Sequence, residues 1–271
     1  MKSTIHFTKM HGAGNDYIYV WLPENPIADL SAASIAWSRP HFGIGSDGLI
    51  AIDRSEVADF SMRIFNADGS EAKMCGNGIR CVGKFVRDHG LTDKQVITVD
   101  TLSGVKTIAL TEDESGEVNG ACVDMGVPVV AESFTSAGLP EGVSVSMGNP
   151  HYVIFVDDIA QVVLEEAGKA LEHHPAFPGG CNIEFAEVRS DGTIRMRVWE
   201  RGSGITLACG TGACATVVAA MSTGRVSRSG AVSIEMDGGW LSIAWNESDG
   251  HVMMTGPAAR VFEGTLTIDN E

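Results

Sequence analysis

Met74-Cys75-Gly76-Asn77-Gly78 and Ala208-Cys209-Gly210-Thr211-Gly212 are two copies of one pattern, set 134 residues apart. The stretches ahead of them repeat at the same offset. Met62-Arg63-Ile64-Phe65 is matched by Met196-Arg197-Val198-Trp199, Gly14-Asn15 by Gly148-Asn149, and Gly45 by Gly179. The run from Gly48 to Ile52 aligns with the run from Asn182 to Ala186. One such match is chance; a series in chain order at a single offset reads as an internal duplication. Two similar domains are therefore expected, at 1–120 and 121–255, with a C-terminal strand at 256–271 joining the first.

Each copy of the pattern opens a predicted helix. Gly78–His89 carries Ile79, Val82, Phe85 and Val86 at helical spacing and ends at Gly90. Gly212–Thr223 carries Val217, Val218 and Met221 and ends at Gly224. A glycine past the last helical residue is the favoured stop. Short helices are also predicted at Ala32–Trp37 and Val162–Leu171. Most of the remainder reads as strand, in short apolar or alternating runs bounded by Gly, Pro, Asp or Ser. These runs are Tyr17–Trp21, Gly48–Ile52, Ser61–Asn66, Val96–Asp100 and Lys106–Leu110, then His151–Val156, Asn182–Val188, Thr193–Glu200 and Val232–Glu235, with a late hairpin at Ser242–Trp245 and His251–Thr255. The fold class predicted is α+β, with two pseudo-symmetric domains, each a mostly antiparallel sheet or barrel wrapped around a central helix.

The composition narrows the function. With 271 residues, 44% of them hydrophobic, the chain can bury two cores. Its 19 Lys and Arg against 35 Asp and Glu leave a net charge of −16. That argues against nucleic-acid backbones and anionic membrane surfaces, both of which call for basic patches. No apolar run approaches the ~18 residues of a membrane span. The N-terminus shows no apolar signal core, so a cytoplasmic location is expected. Six cysteines in a long chain without such a signal are expected to be reduced thiols. Their spacings match no common zinc module, and no metal site is expected. The His173-His174 pair beside Pro175 reads as a loop. Gly210-x-Gly212-x-x-Ala215 is a weak match to a dinucleotide fingerprint, without the βαβ context that would support it.

The chemistry lies in the paired Cys-Gly-x-Gly turns. Glycines there let backbone N–H groups converge at a helix N-terminus, forming a carboxylate-sized anion site. The same position favours the thiolate, which lowers a thiol pKa. A lone cysteine before a helix is ordinarily a small core residue; recurrence at equivalent positions argues for function. Should the halves oppose each other across a pseudo-twofold, the two sulfurs address one substrate from opposite sides. Inverting a stereocentre by proton transfer requires a base on one face and an acid on the other. Two helix N-termini would stabilise the carbanion whose charge spreads into the α-carboxylate. No cofactor is needed. Cys81 and Cys214, inside the helices, are expected to serve packing.

At these residues the sequence resembles the diaminopimelate epimerase family. The matching stretches are Phe7-Thr8-Lys9-Met10-His11-Gly12-Ala13-Gly14-Asn15-Asp16, Gly43-Ile44-Gly45-Ser46-Asp47-Gly48 and Phe65-Asn66-Ala67-Asp68-Gly69-Ser70-Glu71-Ala72. Further along come Met74 to Gly78, Gly148-Asn149-Pro150-His151, Asn182-Ile183-Glu184-Phe185 and Trp199-Glu200-Arg201-Gly202, then Ala208 to Gly212 and Thr255-Gly256-Pro257-Ala258. The resemblance implies a cofactor-independent epimerase of lysine and peptidoglycan-precursor biosynthesis, acting on LL- and meso-2,6-diaminopimelate. It implies Cys75 and Cys209 as the acid/base thiols. His151 and Glu200 would polarise the reacting ammonium and support the thiols. Gly76, Asn77, Gly210 and Thr211 would hold the reacting carboxylate through backbone N–H groups and side chains. Asn15, Asn66, Asn149, Asn182 and Arg201 would read the distal end of the substrate. It also implies a homodimer, with Phe262 where some members carry a Tyr at the dimer contact. Gly48 stands where some members carry a Gln near the substrate.

Two other readings remain at this point. A proline or 4-hydroxyproline racemase of the same fold would share Cys-Gly-x-Gly, but the Arg201-plus-Asn set suits a substrate with a distal carboxylate. A thiol redox or metal-binding module would be revealed by a zinc assay.

Overall fold

Sulfur starts both long helices. In the computed structural model, which describes residues 2–131 and 138–269, the α-helices are α1 Leu30–Ser38, α2 Gly76–Asp88, α3 Leu164–Glu172 and α4 Gly210–Ser222. Both pairs, α1 with α3 and α2 with α4, keep the 134-residue offset. Helices α2 and α4 begin two residues earlier than the apolar spacing predicts. The reason is the cap. Cys75 and Cys209 have extended backbones, and their sulfurs accept the N–H of Gly78 (3.3 Å) and Gly212 (3.4 Å), the role Ser or Asp ordinarily fills. The far ends match too. Gly90 (φ +66°) donates to the Arg87 carbonyl and Leu91 to that of Val86; Gly224 (φ +70°) donates to Met221 and Arg225 to Ala220. Each is a two-bond C-terminal cap whose left-handed residue is glycine for want of a Cβ penalty.

The strands are β1 Lys2–Gly12, β2 Asn15–Trp21, β3 Gly48–Asp53, β4 Phe60–Asn66, β5 Glu71–Ala72, β6 Val96–Thr101, β7 Gly104–Glu112 and β8 Val118–Asp124. They continue as β9 Val129–Val130, β10 Val143–Ser146, β11 Pro150–Phe155, β12 Asn182–Val188, β13 Ile194–Glu200, β14 Gly204–Thr206, β15 Ala231–Met236, β16 Gly239–Trp245, β17 Val252–Pro257 and β18 Ala259–Asp269. The chain divides into two units, Met1–Val123 with Gly256–Glu271, and Asp124–Thr255.

In the first unit β1 pairs antiparallel with β18 and β2, β3 with β4, β4 with β5, and β6 with β7, which in turn pairs with β8. Two pairings are parallel, β2 with β3 and β4 with β6. The second unit repeats this. β11 runs parallel to β12 and β13 to β15, while β10–β11, β12–β13, β13–β14, β15–β16 and β16–β17 are antiparallel. Parallel neighbours need a crossover. Helices α1 and α3 supply one in each unit, and α2 and α4 the other. The sheets are therefore mixed, still predominantly antiparallel, and each central helix is at once a crossover and the core.

Burial follows from that placement. Every residue of α2 from Gly76 to Val86 is buried, and α4 is buried from Ala213 to Met221. On the outer side of the first unit, α1 closes a cluster of Ile5, Phe7, Ile18, Val20, Trp37, Leu49 and Phe65. In the second, α3 covers Tyr152, Ile154, Leu171, Phe177, Ile183, Phe185 and Trp199. Strand β1 was not among the strands read from the sequence. Its run of Phe7, Thr8, Lys9 and Met10 is buried throughout, and a register shift between Lys9 and Met10 breaks the alternation. Lys9 is kept in place by Asp16 and the Gly45 carbonyl.

Candidate active site

At the N-terminus of α2 the first unit brings together Asn15, Cys75, Gly76 and Asn77. The Cys75 thiol donates to Asn15 Oδ1 (3.3 Å), and Asn15 Nδ2 donates to Asp47 (2.7 Å). Burial, then the Cys75 charge and Asp47, push the Tyr17 hydroxyl well above its ordinary pKa; its side-chain hydrogen bonds are to Asn15 and Cys75. Gly76 and Asn77 form the first helical turn. The Asn77 side-chain oxygen accepts from the buried Arg80 guanidinium (2.9 Å) in the first turn of α2. Asn66 lies at the end of β4, donating to Ser70 (3.0 Å). A Cβ at Gly78 would sit 2.6 Å from Ile50 Cδ1 and 3.5 Å from the Cys75 sulfur, which accounts for glycine in the third helical position. At Gly48 a Cβ would fall on the Phe65 carbonyl oxygen, so this backbone admits no side chain there.

The second unit builds the corresponding arrangement from charged groups. His151 on β11 and Glu184 on β12 are fully buried, Nδ1 to Oε1 at 2.6 Å. His151 Nε2 meets Asn149 Oδ1 at 3.1 Å, Asn149 Nδ2 donates to Thr211 (3.3 Å), and the Thr211 hydroxyl lies 3.6 Å from the Cys209 sulfur. Glu200, at the end of β13, accepts from Thr206 (2.5 Å) and hydrogen-bonds Cys209. Asn182 ties two segments together, donating to the Pro150 carbonyl (2.8 Å) and accepting the Arg201 N–H (2.9 Å). Arg201 leaves its guanidinium exposed, with one contact to the Gly179 carbonyl (3.1 Å). Gly210 and Thr211 are the first turn of α4.

The electrostatics of Cys209 depart from the helix-dipole expectation. Burial, then the charges of Glu200 and Glu184, push its thiol well above the ordinary value, against smaller opposite pulls from Thr211 and the Gly212 N–H. A helix terminus contributes at most about 2 kcal/mol, which desolvation and two carboxylates outweigh. Cys209 therefore rests as the thiol. Glu200 is pushed up too, chiefly by burial, against smaller opposite pulls from its hydrogen bonds to Thr206 and Cys209. Cys81, at about 11, and Cys181, at about 12, are raised mainly by burial and lie in the interior.

Sequence reasoning assigned no role to Tyr17 or Glu184. The 134-residue offset could have pointed to both, since it sets Tyr17 against His151 and Ile50 against Glu184. Glu184 also stands in the otherwise apolar Ile183-Glu184-Phe185 run, where an acid is out of pattern.

A duplicated α+β fold with a cysteine capping the central helix of each half is the class defined by these features. Solved structures share the fold, among them a PhzF-family phenazine biosynthesis protein from Bacillus anthracis (TM-score 0.77, 18% identity, 97% of this chain and 99% of that one). A hydroxyproline epimerase from Agrobacterium vitis gives a TM-score of 0.74 at 16% identity, over 98% and 93% of the two chains. The family model for diaminopimelate epimerase matches residues 7–131 and 143–261. Diaminopimelate epimerases from Bacteroides thetaiotaomicron (56% identical, 98% of this chain and 99% of the relative) and Phocaeicola vulgatus (55%, 98% and 99%) are similar over nearly their full length. One from Methanococcus maripaludis is 49% identical over 97% and 99%. The chain belongs to the diaminopimelate epimerase family.

Proposed function

We propose that this chain interconverts LL- and meso-2,6-diaminopimelate by two-thiol proton transfer, with Cys75 and Cys209 as the acid/base pair. The observation that carries the assignment of the thiols is their equivalence: each is the N-cap of a buried central helix, at one repeat position. As thiolate, one sulfur takes the α-proton while the other, as thiol, delivers a proton to the opposite face; the reverse direction exchanges their roles. The N–H groups at the starts of α2 and α4 stabilise the carboxylate as charge develops. His151 and Glu200 support Cys209 and the reacting ammonium. Asn66, Asn182 and Arg201 read the distal amino-acid end, with the exposed guanidinium offering a bidentate fork to the distal carboxylate, while Asn15 and Asn149, bonded beside Cys75 and Thr211, bind substrate nearer the thiols. A distal centre of the wrong hand exchanges ammonium and hydrogen and leaves polar groups unpaired, so the distal centre must be L. Family membership selects this reaction over the proline-racemase and redox-module alternatives.

The protein acts in the cytoplasm as a homodimer in this reading. Support for the dimer is the half-exposed Phe262 on β18, an aromatic side chain left open to a partner. The test is incubation with LL-diaminopimelate in deuterated water. Deuterium at one α-carbon together with formation of the meso isomer is expected; exchange at neither carbon would refute the reaction. Equal turnover of the DD isomer would refute the distal assignment. Elution as a monomer at micromolar concentration would refute the dimer.

A further inference from the structure

The proton-transfer scheme uses two sulfurs, and Glu184 is a buried ionisable group it leaves idle. Its Oε1 meets His151 Nδ1 at 2.6 Å and lies close enough to α4 that a Cβ at Gly212 would be 2.7 Å away. Among the described residues, Glu184 Oε2 is buried with no hydrogen-bond partner. The titratable groups around this carboxylate are His151 from β11, Glu200 from β13, Cys209 at the start of α4, and Cys181 just ahead of β12.

From Glu184 the contacts run in one line, through His151, Asn149 and Thr211 to the Cys209 sulfur, at 2.6, 3.1, 3.3 and 3.6 Å. We propose that Glu184 is a positioning residue for Cys209: by holding the His151 ring through Nδ1 it fixes the direction of this relay, leaving the Thr211 hydroxyl to donate to the sulfur. The inference rests on the reading of Cys209 as an acid/base thiol.

The direction follows from donor and acceptor inventories. A carboxylate only accepts, so His151 Nδ1 carries a proton. With Nε2 protonated as well, the ring donates to Asn149 Oδ1. The amide then presents Nδ2 to Thr211, which is the orientation in the structure. Thr211, already accepting from Asn149, has its own proton free for the thiolate. Without the second imidazole proton, Nε2 accepts instead and the Asn149 amide reverses. The amide oxygen then faces Thr211, takes the hydroxyl proton, and the sulfur loses its donor. The Glu184 carboxylate, 2.6 Å from Nδ1, and the Asn149 amide as it stands in the structure hold the first arrangement.

The test replaces Glu184 by its isostere, Glu184→Gln. The pH dependence of modification by methyl methanethiosulfonate is followed at Cys209 by peptide mass spectrometry, with Cys75 as internal reference. A hydrogen bond to a charged group is worth about 1–2 pH units, so the Cys209 midpoint should move up by that amount while the Cys75 midpoint stays. Thr211→Val should move it the same way, and the double variant no further than the larger single. Were Glu184 merely a nearby negative charge, its removal would ease thiolate formation. A midpoint that falls or stays put, an additive double variant, or a shift shared by Cys75 would overturn the relay. In the active enzyme the acidic limb of kcat/KM for LL-diaminopimelate should rise with the Cys209 midpoint. If the wild-type thiols behave as described but no α-proton exchanges, the reaction assignment fails and the relay stands.

Discussion

The two half-sites share a backbone and differ in where their charges lie. In the Cys75 half three repeat positions carry Tyr17, Ile50 and Asn66; at the same offsets the Cys209 half carries His151, Glu184 and Glu200. The helices reverse the pattern. Helix α2 buries Arg80 and Lys84 where α4 has Cys214 and Val218. Arg80 donates to the carbonyls of Gly76 (3.0 Å) and Pro257 (3.2 Å), and Lys84 to Val118 (2.6 Å) with Asp88 and Glu117 alongside. Duplication has thus kept what the backbone requires, namely a capping sulfur, glycine beside it, and a left-handed glycine at the far end. What changed is the electrostatic setting of each thiol.

The largest effect should come from removing either sulfur. Cys75→Ala and Cys209→Ala should each lower α-proton exchange by at least about 10³-fold, the scale of a positioned acid or base. Near wild-type exchange in either variant would break the equivalence of the halves. Next, Arg80→Met should destabilise the fold by about 3 kcal/mol, because it strips the donor from buried carbonyls and Asn77. Urea denaturation would show this, and a cost under about 1 kcal/mol would mean the helices differ without consequence. Arg201→Lys should cost about 10- to 100-fold in kcat/KM, since an ammonium cannot reproduce the bidentate fork.

Alanine at the glycine beside each sulfur sharpens the comparison. In Gly78→Ala the new methyl meets the end of Ile50, which can turn away; in Gly212→Ala it meets the Glu184 carboxylate, already bound to His151. Gly212→Ala should therefore lose about 1–3 kcal/mol and Gly78→Ala less than about 1. Equal thermal shifts would remove the distinction. The smallest effect concerns Cys81, which faces the same offset as Ala215. Burial holds its thiol protonated up to about 11, against an ordinary 9.0. The folded state disfavours the ionised form, so this contribution is intact below pH 9 and is lost as pH rises toward 11. Cys81→Ala should flatten the fall in thermal stability across that window while leaving exchange activity in place. An unchanged slope would count against it.

The duplication is legible because a fold-level repeat leaves its trace in any residue the backbone demands, and the capped turns at Cys75 and Cys209 are dense with such residues. The central helices, and most of the strands around them, follow from local periodicity. Strand β1 does not, because burial on both faces and a bulge erase its alternation. Parallel pairing was equally hidden; it depends on which strand a crossover returns to, and no local pattern encodes that.

Residue types and order alone determined the α+β class and the family, and they pointed to the paired thiols, since these rest on motifs whose members lie close together in the chain. The tertiary structure decided the electrostatics. Glu184 reaches His151 only because β11 and β12 run parallel in a register that sets His151 against Asn182. The pKa of Cys209 goes up rather than down because packing removes water from a sulfur that also faces two carboxylates. Solvation and charge proximity are properties of three-dimensional neighbourhoods, and a neighbourhood assembled from strands about thirty residues apart has no signature in either strand by itself.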